Sequence, residues 1–316
     1  MKRKIFLLNP RGFCAGVKRA IYILENLVKI YKNRIYVYQE IVHNKYLIDK
    51  FKKLGVIFEN NINKIPENSI LVFPAHGVSK KIEDIAKKKN FLVFDATCPL
   101  VKKVHFGIRK ANLEKRKIII IGNENHAEIQ GSIGQYDKKE NIYIISKSKQ
   151  VKNIDISPIE KLSFFTQTTL SFEKTKKIVE KLKKKFPNLS GQKKDDICYA
   201  TYNRQMAIKS IFSKLDLLIV VGSKNSSNAN KLVESFKILS KKKSFLVENF
   251  SEIKKEWFIK KVNNIGITSG ASTPENLVQK VVSYLKGWNI KVFEEQKTNT
   301  KELQKFRISK KFFKKE

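Results

Sequence analysis

The chain has 316 residues, 41% of them hydrophobic, which is length and apolar content enough for two or three domains that each bury a core. Its net charge is +36, yet 57 of the 65 basic residues are lysines spread through nearly every helical stretch, a pattern of solvated faces and compositional drift that argues against nucleic-acid binding as the main role. No apolar run approaches the roughly 18 residues of a membrane span, and MKRKIFLLNPRGF has neither a long apolar stretch nor a small-residue cleavage site, so no membrane partner and a cytoplasmic location are expected.

In chain order, short β-rich runs alternate with helical stretches, the pattern of an α/β protein with mainly parallel sheets. Strands are expected at Ile5–Leu8, Ile35–Tyr38, Ile70–Phe73, Phe91–Phe94, Ile118–Ile121, Ile142–Ile145, Leu162–Phe165, Leu217–Val221, Ser244–Val247 and Asn264–Thr268. Between them, segments such as Leu47–Leu54, Thr175–Phe186 and Met206–Leu215 carry apolar residues at helical spacing with lysines elsewhere. After Trp288 the pattern fades through IKVFEE into a lysine-rich end, read as a tail whose tip, Ser309–Glu316, is disordered.

The cysteines number three, Cys14, Cys98 and Cys198, an odd count at spacings of 84 and 100 residues that does not suit a secreted disulfide framework. CAGVKRA, CPLVKKV and CYATYNRQ each open a helical stretch and carry basic residues four to six positions on, a weak threefold repeat. A helix N-terminus favours the thiolate that a metal requires. The spacing therefore suggests one cysteine per domain: residues 1–97 with Cys14, 98–195 with Cys98, 196–290 with Cys198, and a tail over 291–316, with residues 1–13 open to packing onto the third domain. Buried structural thiols or a zinc site of three Cys and one His remain alternatives. The chain has no CxxC pair, which removes the usual zinc-finger and bacterial ferredoxin patterns.

Polar residues collect at the ends of the expected strands, where open α/β sheets bind ligands. His43 follows IYVYQEIV, His76 follows ILVFPA, and His126, two residues before Glu128, follows IIIIGNEN. Thr168 and Thr169 follow LSFFTQ, the NSSN run Asn225–Asn228 follows LLIVVGSK, and Ser272 follows NIGIT. Hydroxyls, amides and imidazoles at such turns, together with helix N-terminal amides, can hold phosphate oxygens, and several turns suit a diphosphate. Each also has a plainer reading: a histidine satisfied within the structure, NSSN as a helix cap, Glu128 as a surface carboxylate. His105, inside a helical stretch between Val104 and Phe106, is read as structural.

NPRGFCAGV, QEIVHN, PAHGVS, FDATCPLV, NHAEIQG, TQTTLS, DDICYAT, GSKNSSN and TSGASTPE occur in the order and spacing of the 4-hydroxy-3-methylbut-2-enyl diphosphate reductase (LytB/IspH) family, which the chain resembles up to about residue 290. The resemblance implies three similar α/β domains with mainly parallel sheets, arranged as a cloverleaf around a central [4Fe-4S] cluster held by Cys14, Cys98 and Cys198. It implies that His43, His76, His126, Ser226, Ser227, Asn228 and Ser272 bind the substrate diphosphate, that Glu128 delivers protons and that Thr168 positions the substrate hydroxyl. The implied reaction is a reductive dehydroxylation ending the non-mevalonate (MEP) route of isoprenoid biosynthesis. Two electrons from a donor such as ferredoxin or flavodoxin and two protons remove the hydroxyl of a small allylic diphosphate. Ala127 stands where the family pattern has a proline, Asn123 where many members have a histidine, and Tyr202 where the residue is usually smaller. An iron-sulfur hydratase or dehydratase and a cluster-containing regulatory RNA-binding protein are the other function classes open to such a chain.

Overall fold

In the computed structural model, residues 3–31, 34–157, 159–191, 196–259, 262–288, 292–295 and 302–308 are described. Strand β1 (Lys4–Leu7) and helix α1 (Ala15–Ile30) come first. Next are β2 (Ile35–Tyr38), α2 (Lys45–Lys53), β3 (Ile57–Glu59), β4 (Ile70–Phe73), α3 (Lys80–Lys88), β5 (Leu92–Asp95) and α4 (Pro99–Leu113). A matching series follows: β6 (Lys117–Ile121), α5 (Ala127–Ile133), β7 (Ile142–Ile145), β8 (Leu162–Thr166), α6 (Phe172–Lys185), β9 (Leu189–Ser190) and α7 (Tyr199–Ile211). The last series is β10 (Leu217–Val221), α8 (Ser227–Ser240), β11 (Lys243–Val247), β12 (Asn264–Ser269), α9 (Glu275–Lys286) and β13 (Val292–Glu295).

These strands form three sheets, in the orders β3-β2-β4-β5, β7-β6-β8-β9 and β11-β10-β12-β1-β13, and every pairing is parallel. One plan therefore occurs three times. The first strand of each series lies between the second and the third, and a fourth flanks the third. In the last sheet the fourth place is taken by β1, from the other end of the chain, and β13 adds an outer strand. The tail expected from residue 291 is corrected here: Val292–Glu295 pairs with Lys4–Leu7. Residues 309–316 lie outside the described residues.

Parallel strands covered on both faces read as continuous apolar runs, and the core shows why. Ile5, Leu7, Ile219 and Val221 pack on one face with Val278 and Val281 of α9. Their alternating neighbours Phe6, Leu8, Leu218 and Val220 pack on the other with Ile208 of α7 and Leu232 and Phe236 of α8. In β6 the same split puts Ile119 and Ile121 in one cluster and Ile118 and Ile120 in another. The expected strands all form, with ends displaced by a residue or so, and three are additional: β3, β9 and β13. The helix expected from Met206 begins at Tyr199, directly after Cys198, and its last turn tightens to a 3-10 turn over Phe212–Lys214.

Two compact units make up the chain: Met1–Ala15, His43–Lys45 and Tyr199–Lys305 with the five-stranded sheet, and Gly16–Val42, Tyr46–Cys198 and Phe306–Glu316 with the two four-stranded sheets. Within the second unit the turn after β4 packs directly against α5. Gln135 Nε2 donates to the Val78 carbonyl at 2.7 Å and the Lys80 amide to the Gly134 carbonyl at 3.1 Å. The fit is backbone-close, since a Cβ at Gly134 would lie 2.1 Å from the Ser79 Cβ and 2.9 Å from its Cα. Gly134→Ala is expected to destabilise the chain by about 1–3 kcal/mol, the usual cost of overpacking. Urea denaturation will show this as a lower midpoint at unchanged slope.

Candidate functional site

In each sheet the connections out of the first and third strands leave in opposite directions. That makes β2/β4, β6/β8 and β10/β12 the switch points at which parallel α/β sheets bind ligands. In sequence, the candidate diphosphate and proton-transfer residues follow the strands that flank these points. His43 lies after β2 and His76 after β4; His126 and Glu128 lie after β6 and Thr168 after β8; Ser226, Ser227 and Asn228 lie after β10 and Ser272 after β12.

The cysteines take the equivalent place beside the third strand. Cys14, Cys98 and Cys198 are each the residue before a helix, α1, α4 and α7. Each donates its backbone N–H to the turn following the adjacent strand: Cys14 to Ala271 O at 3.1 Å, Cys98 to Ala75 O at 2.9 Å and Cys198 to Thr168 O at 3.0 Å. None is in a disulfide and all are half-buried. The unpaired amides of a helix start favour a thiolate at this position. The approach to Cys98 is fixed further by Asp95, whose Oδ1 accepts from the Thr97 amide at 2.8 Å while Lys102 pairs with its other oxygen at 2.5 Å. Burial pushes the Asp95 carboxyl up, but the hydrogen bonds and charge of Lys102 and Thr97 outweigh it and hold the group below its ordinary value. Arg19 of α1, five residues after Cys14, donates to the Thr97 and Asp95 carbonyls at 3.2 and 3.3 Å.

Within the second unit, His126, Glu128, Thr168 and Cys198 form one connected chain. His126 caps α5, its Nδ1 accepting from the Glu128 amide at 3.2 Å. An imidazole whose Nδ1 accepts carries its proton on Nε2 when neutral, and so presents a donor. Glu128, 4% exposed, accepts from the Thr168 amide through Oε1 at 2.6 Å and from the Thr168 hydroxyl through Oε2 at 2.9 Å. The Thr168 carbonyl in turn receives the Cys198 N–H. The carboxylate is thus held to hydrogen-bond accuracy at a cysteine-bearing turn, so the surface reading of Glu128 does not hold. At the neighbouring switch point His76 is buried, with Nε2 3.2 Å from Gln39 Oε1.

Within the first unit, Ser226 caps α8 through a bond from the Ala229 amide, and Asn228 on its first turn is 4% exposed. Neither polar atom of the Asn228 amide has a hydrogen-bond partner among the described residues. Burying an amide unsatisfied costs about 1–3 kcal/mol, which makes Asn228 a candidate ligand-binding group. In the same unit, the Ser272 hydroxyl donates to the His43 carbonyl at 3.1 Å and the Asn44 amide to the Ser272 carbonyl at 2.7 Å.

Sequence reasoning passed over several residues that build these turns: Gln39, Asn44, and the buried Gln167, whose Oε1 accepts from the Asn123 amide at 3.1 Å. Asn44 and Gln167 adjoin His43 and Thr168, and a polar residue beside a candidate at a strand end was the available signal. Among the described residues, no three His, Cys, Asp or Glu side chains are gathered as a cage for a single metal ion, and no helix is long and apolar enough to cross a membrane.

The arrangement defines a class: parallel α/β proteins in which one strand plan, ending in a cysteine at a helix start, is used three times with polar side chains following the central strands. The LytB protein family model matches residues 5–286, and the chain belongs to that family. A protein of Wigglesworthia glossinidia brevipalpis named 4-hydroxy-3-methylbut-2-enyl diphosphate reductase is 52% identical over 285 residues, 89% of each chain. One of the same name from Buchnera aphidicola subsp. Schizaphis graminum is 49% identical over 310 residues, 97% of each chain. The solved structure of the E-1-hydroxy-2-methyl-but-2-enyl-4-diphosphate reductase from Plasmodium falciparum superposes with a TM-score of 0.94 at 40% identity, covering 99% of this chain and 97% of that one. A second solved reductase, described as the terminal enzyme of the non-mevalonate pathway, gives 0.62 at 28% identity, covering 90% of this chain and 99% of its own.

His105 is structural, as read, and more tightly placed than expected. It is 6% exposed, its Nε2 has no partner among the described residues, and its ring fills the space where a Cβ on Gly77 would stand, 2.7 Å from Cε1. Gly77, at φ +76, carries the turn that holds His76. Burial, with Arg109 and Lys102 adding to it and Asp95 opposing, lowers the His105 pKa to about 4. The unfolded chain therefore binds this proton more readily than the folded one. The associated stability is complete above pH 6.5 and is lost as pH falls toward 4, at up to about 1.4 kcal/mol per pH unit. Chemical denaturation across that range should show the wild-type slope exceeding that of His105→Leu by this amount; equal slopes would contradict a neutral buried imidazole.

Proposed function

We propose that this chain reduces 4-hydroxy-3-methylbut-2-enyl diphosphate to isopentenyl and dimethylallyl diphosphates, the last step of the non-mevalonate isoprenoid pathway. The observation that carries the reading is the buried Glu128 carboxylate, pinned by both donors of Thr168, in a chain 52% identical over 285 residues to a protein named for this reaction.

The reaction replaces a carbon–hydroxyl bond with a carbon–hydrogen bond and releases water, consuming two electrons and two protons. Hydroxide is a poor leaving group, so the departing oxygen needs a proton at the moment the bond breaks. Glu128 is the group to supply it, with the Thr168 hydroxyl between carboxylate and substrate. The Thr168 O–H donates to the Glu128 carboxylate through Oε2. Once Glu128 is protonated this bond would reverse, the carboxylic acid donating to the Thr168 oxygen and the Thr168 O–H turning to the substrate hydroxyl, so that a proton moves toward the departing oxygen.

The diphosphate falls to His43, His76, His126, Ser226, Ser227, Asn228 and Ser272. The free amide of Asn228, the α8 N-terminus at Ser226 and Ser227 and the Nε2–H of His126 are donors of the kind that phosphate oxygens take. Binding energy from this remote group would hold the allylic end in place for reaction.

No side chain supplies single electrons, so the reading requires a redox centre, and the donor set fits one. Cys14, Cys98 and Cys198 occupy the same position in three copies of one strand plan, each at a helix start. Three such thiolates suit a [4Fe-4S] cluster, in which each binds its own iron and a fourth is left without a protein thiolate. When bound, that cluster would provide electrons one at a time and a Lewis-acidic iron for the substrate hydroxyl. An acidic one-electron carrier of the cytoplasm, a ferredoxin or flavodoxin, is the proposed donor, in keeping with the +36 charge.

Anaerobic purification is expected to give a brown protein with about four irons per chain that consumes the allylic diphosphate only when a reductant is present. Stoichiometric zinc without turnover would contradict the reading, and turnover without reductant would make the chain a hydratase. Glu128→Gln is expected to keep the iron but lose about 10²-fold or more in kcat; wild-type turnover in that variant would remove Glu128 from the mechanism.

A further inference from the structure

Arg204, on α7, is the largest fully buried side chain among the described residues, 1% exposed. Its Nη2 donates to the Gly12 carbonyl at 2.9 Å; its Nη1 donates to Ala200 O at 2.9 Å and to Glu302 Oε1 at 2.7 Å. Glu302 belongs to the described segment 302–308, beyond the last strand, and its side chain is 14% exposed. A guanidinium taken out of water needs a counter-charge, and removing that charge costs far more than the pair contributes by forming.

Gly12 lies two residues before Cys14, and the turn between them is held at three points. The Gly12 N–H donates to Ser269 Oγ at 2.8 Å, the Cys14 N–H donates to Ala271 O at 3.1 Å, and the Gly12 carbonyl receives Arg204. The first two bonds come from β12 and its following turn. The third comes from a buried cation that, among the described residues, forms its ion pair with Glu302.

From this geometry we infer that Glu302 is a positioning residue: by neutralising Arg204 it fixes the turn that presents Cys14, so the segment after the last strand is part of the site. The consequence for catalysis rests on the ligand role proposed above for Cys14, while the coupling itself does not. Electrostatically, Glu302→Gln would leave Arg204 charged and buried beside the Gly12 carbonyl, and the turn would open as the guanidinium seeks water.

The test reads the thiols rather than turnover. In the metal-free, reduced chain, iodoacetamide labelling resolved by peptide mass spectrometry gives a rate for each cysteine. Glu302→Gln is expected to raise the Cys14 rate by about tenfold relative to wild type and leave Cys98 and Cys198 within about twofold. An unchanged Cys14 rate, or a common rise at all three, overturns the inference, because a general loss of stability would expose the thiols together. Arg204→Met with Glu302→Met removes the pair without stranding a charge; it is expected to fold and to show the same selective rise. In the unaltered chain, hydrogen exchange in low urea should find residues 11–14 and 302–305 opening as one unit, and independent opening overturns the inference as well. Neither iron nor substrate enters these measurements, so their failure and failure of the reductase assignment are separate results.

Discussion

Each cysteine is held in place by a main-chain hydrogen bond to the turn that leaves the neighbouring strand: Cys14 to Ala271, Cys98 to Ala75, Cys198 to Thr168. The bond ties the start of the next helix to the carboxyl edge of the sheet. It depends on the third and fourth strands of each series being adjacent, which in one sheet requires the first strand of the chain to return beside β12. The same turn that accepts this bond also carries a candidate ligand: Ser272 beside Ala271, His76 beside Ala75, and Thr168 itself. Thiol and candidate ligand are thus placed by one element of backbone structure, and a shift of one moves the other.

Around that bond the side chains divide the work. Apolar residues alternate between the two faces of each central strand, so the sheets are rigid platforms and the chemistry is left to the turns. Acidic and cationic residues near the cysteines act mainly on backbone: Asp95 on the Thr97 amide, Arg19 on the Thr97 carbonyl, Arg204 on the Gly12 carbonyl. Basic residues a few positions past Cys14 and Cys198 therefore have a structural explanation within a chain whose many other lysines lie on solvated faces.

The central strands were legible in the sequence because burial on both faces makes them unbroken runs of Ile, Val, Leu and Phe. Ile57–Glu59, Leu189–Ser190 and Val292–Glu295 were not, being edge strands of two to four residues without such a run. The positions of His43, His76, His126, Thr168, Ser226 and Ser272 were legible because polar residues after an apolar run mark a strand-to-helix turn. What joins them was not: Glu128 and Thr168 are 40 residues apart, and no local pattern reports a contact between two turns of one sheet. Glu302, in a lysine-rich end that reads as solvated tail, gave no sign that its carboxylate meets a buried arginine 98 residues earlier.

The central proposal is that all three thiols are needed for the redox centre, and the direct measurement is iron and sulfide content in Cys14→Ser, Cys98→Ser and Cys198→Ser prepared anaerobically beside the wild-type chain. The account predicts that each single substitution lowers iron well below the wild-type value of about four per chain and abolishes reductant-dependent turnover. A variant of any one cysteine that kept wild-type iron, sulfide and turnover would contradict it.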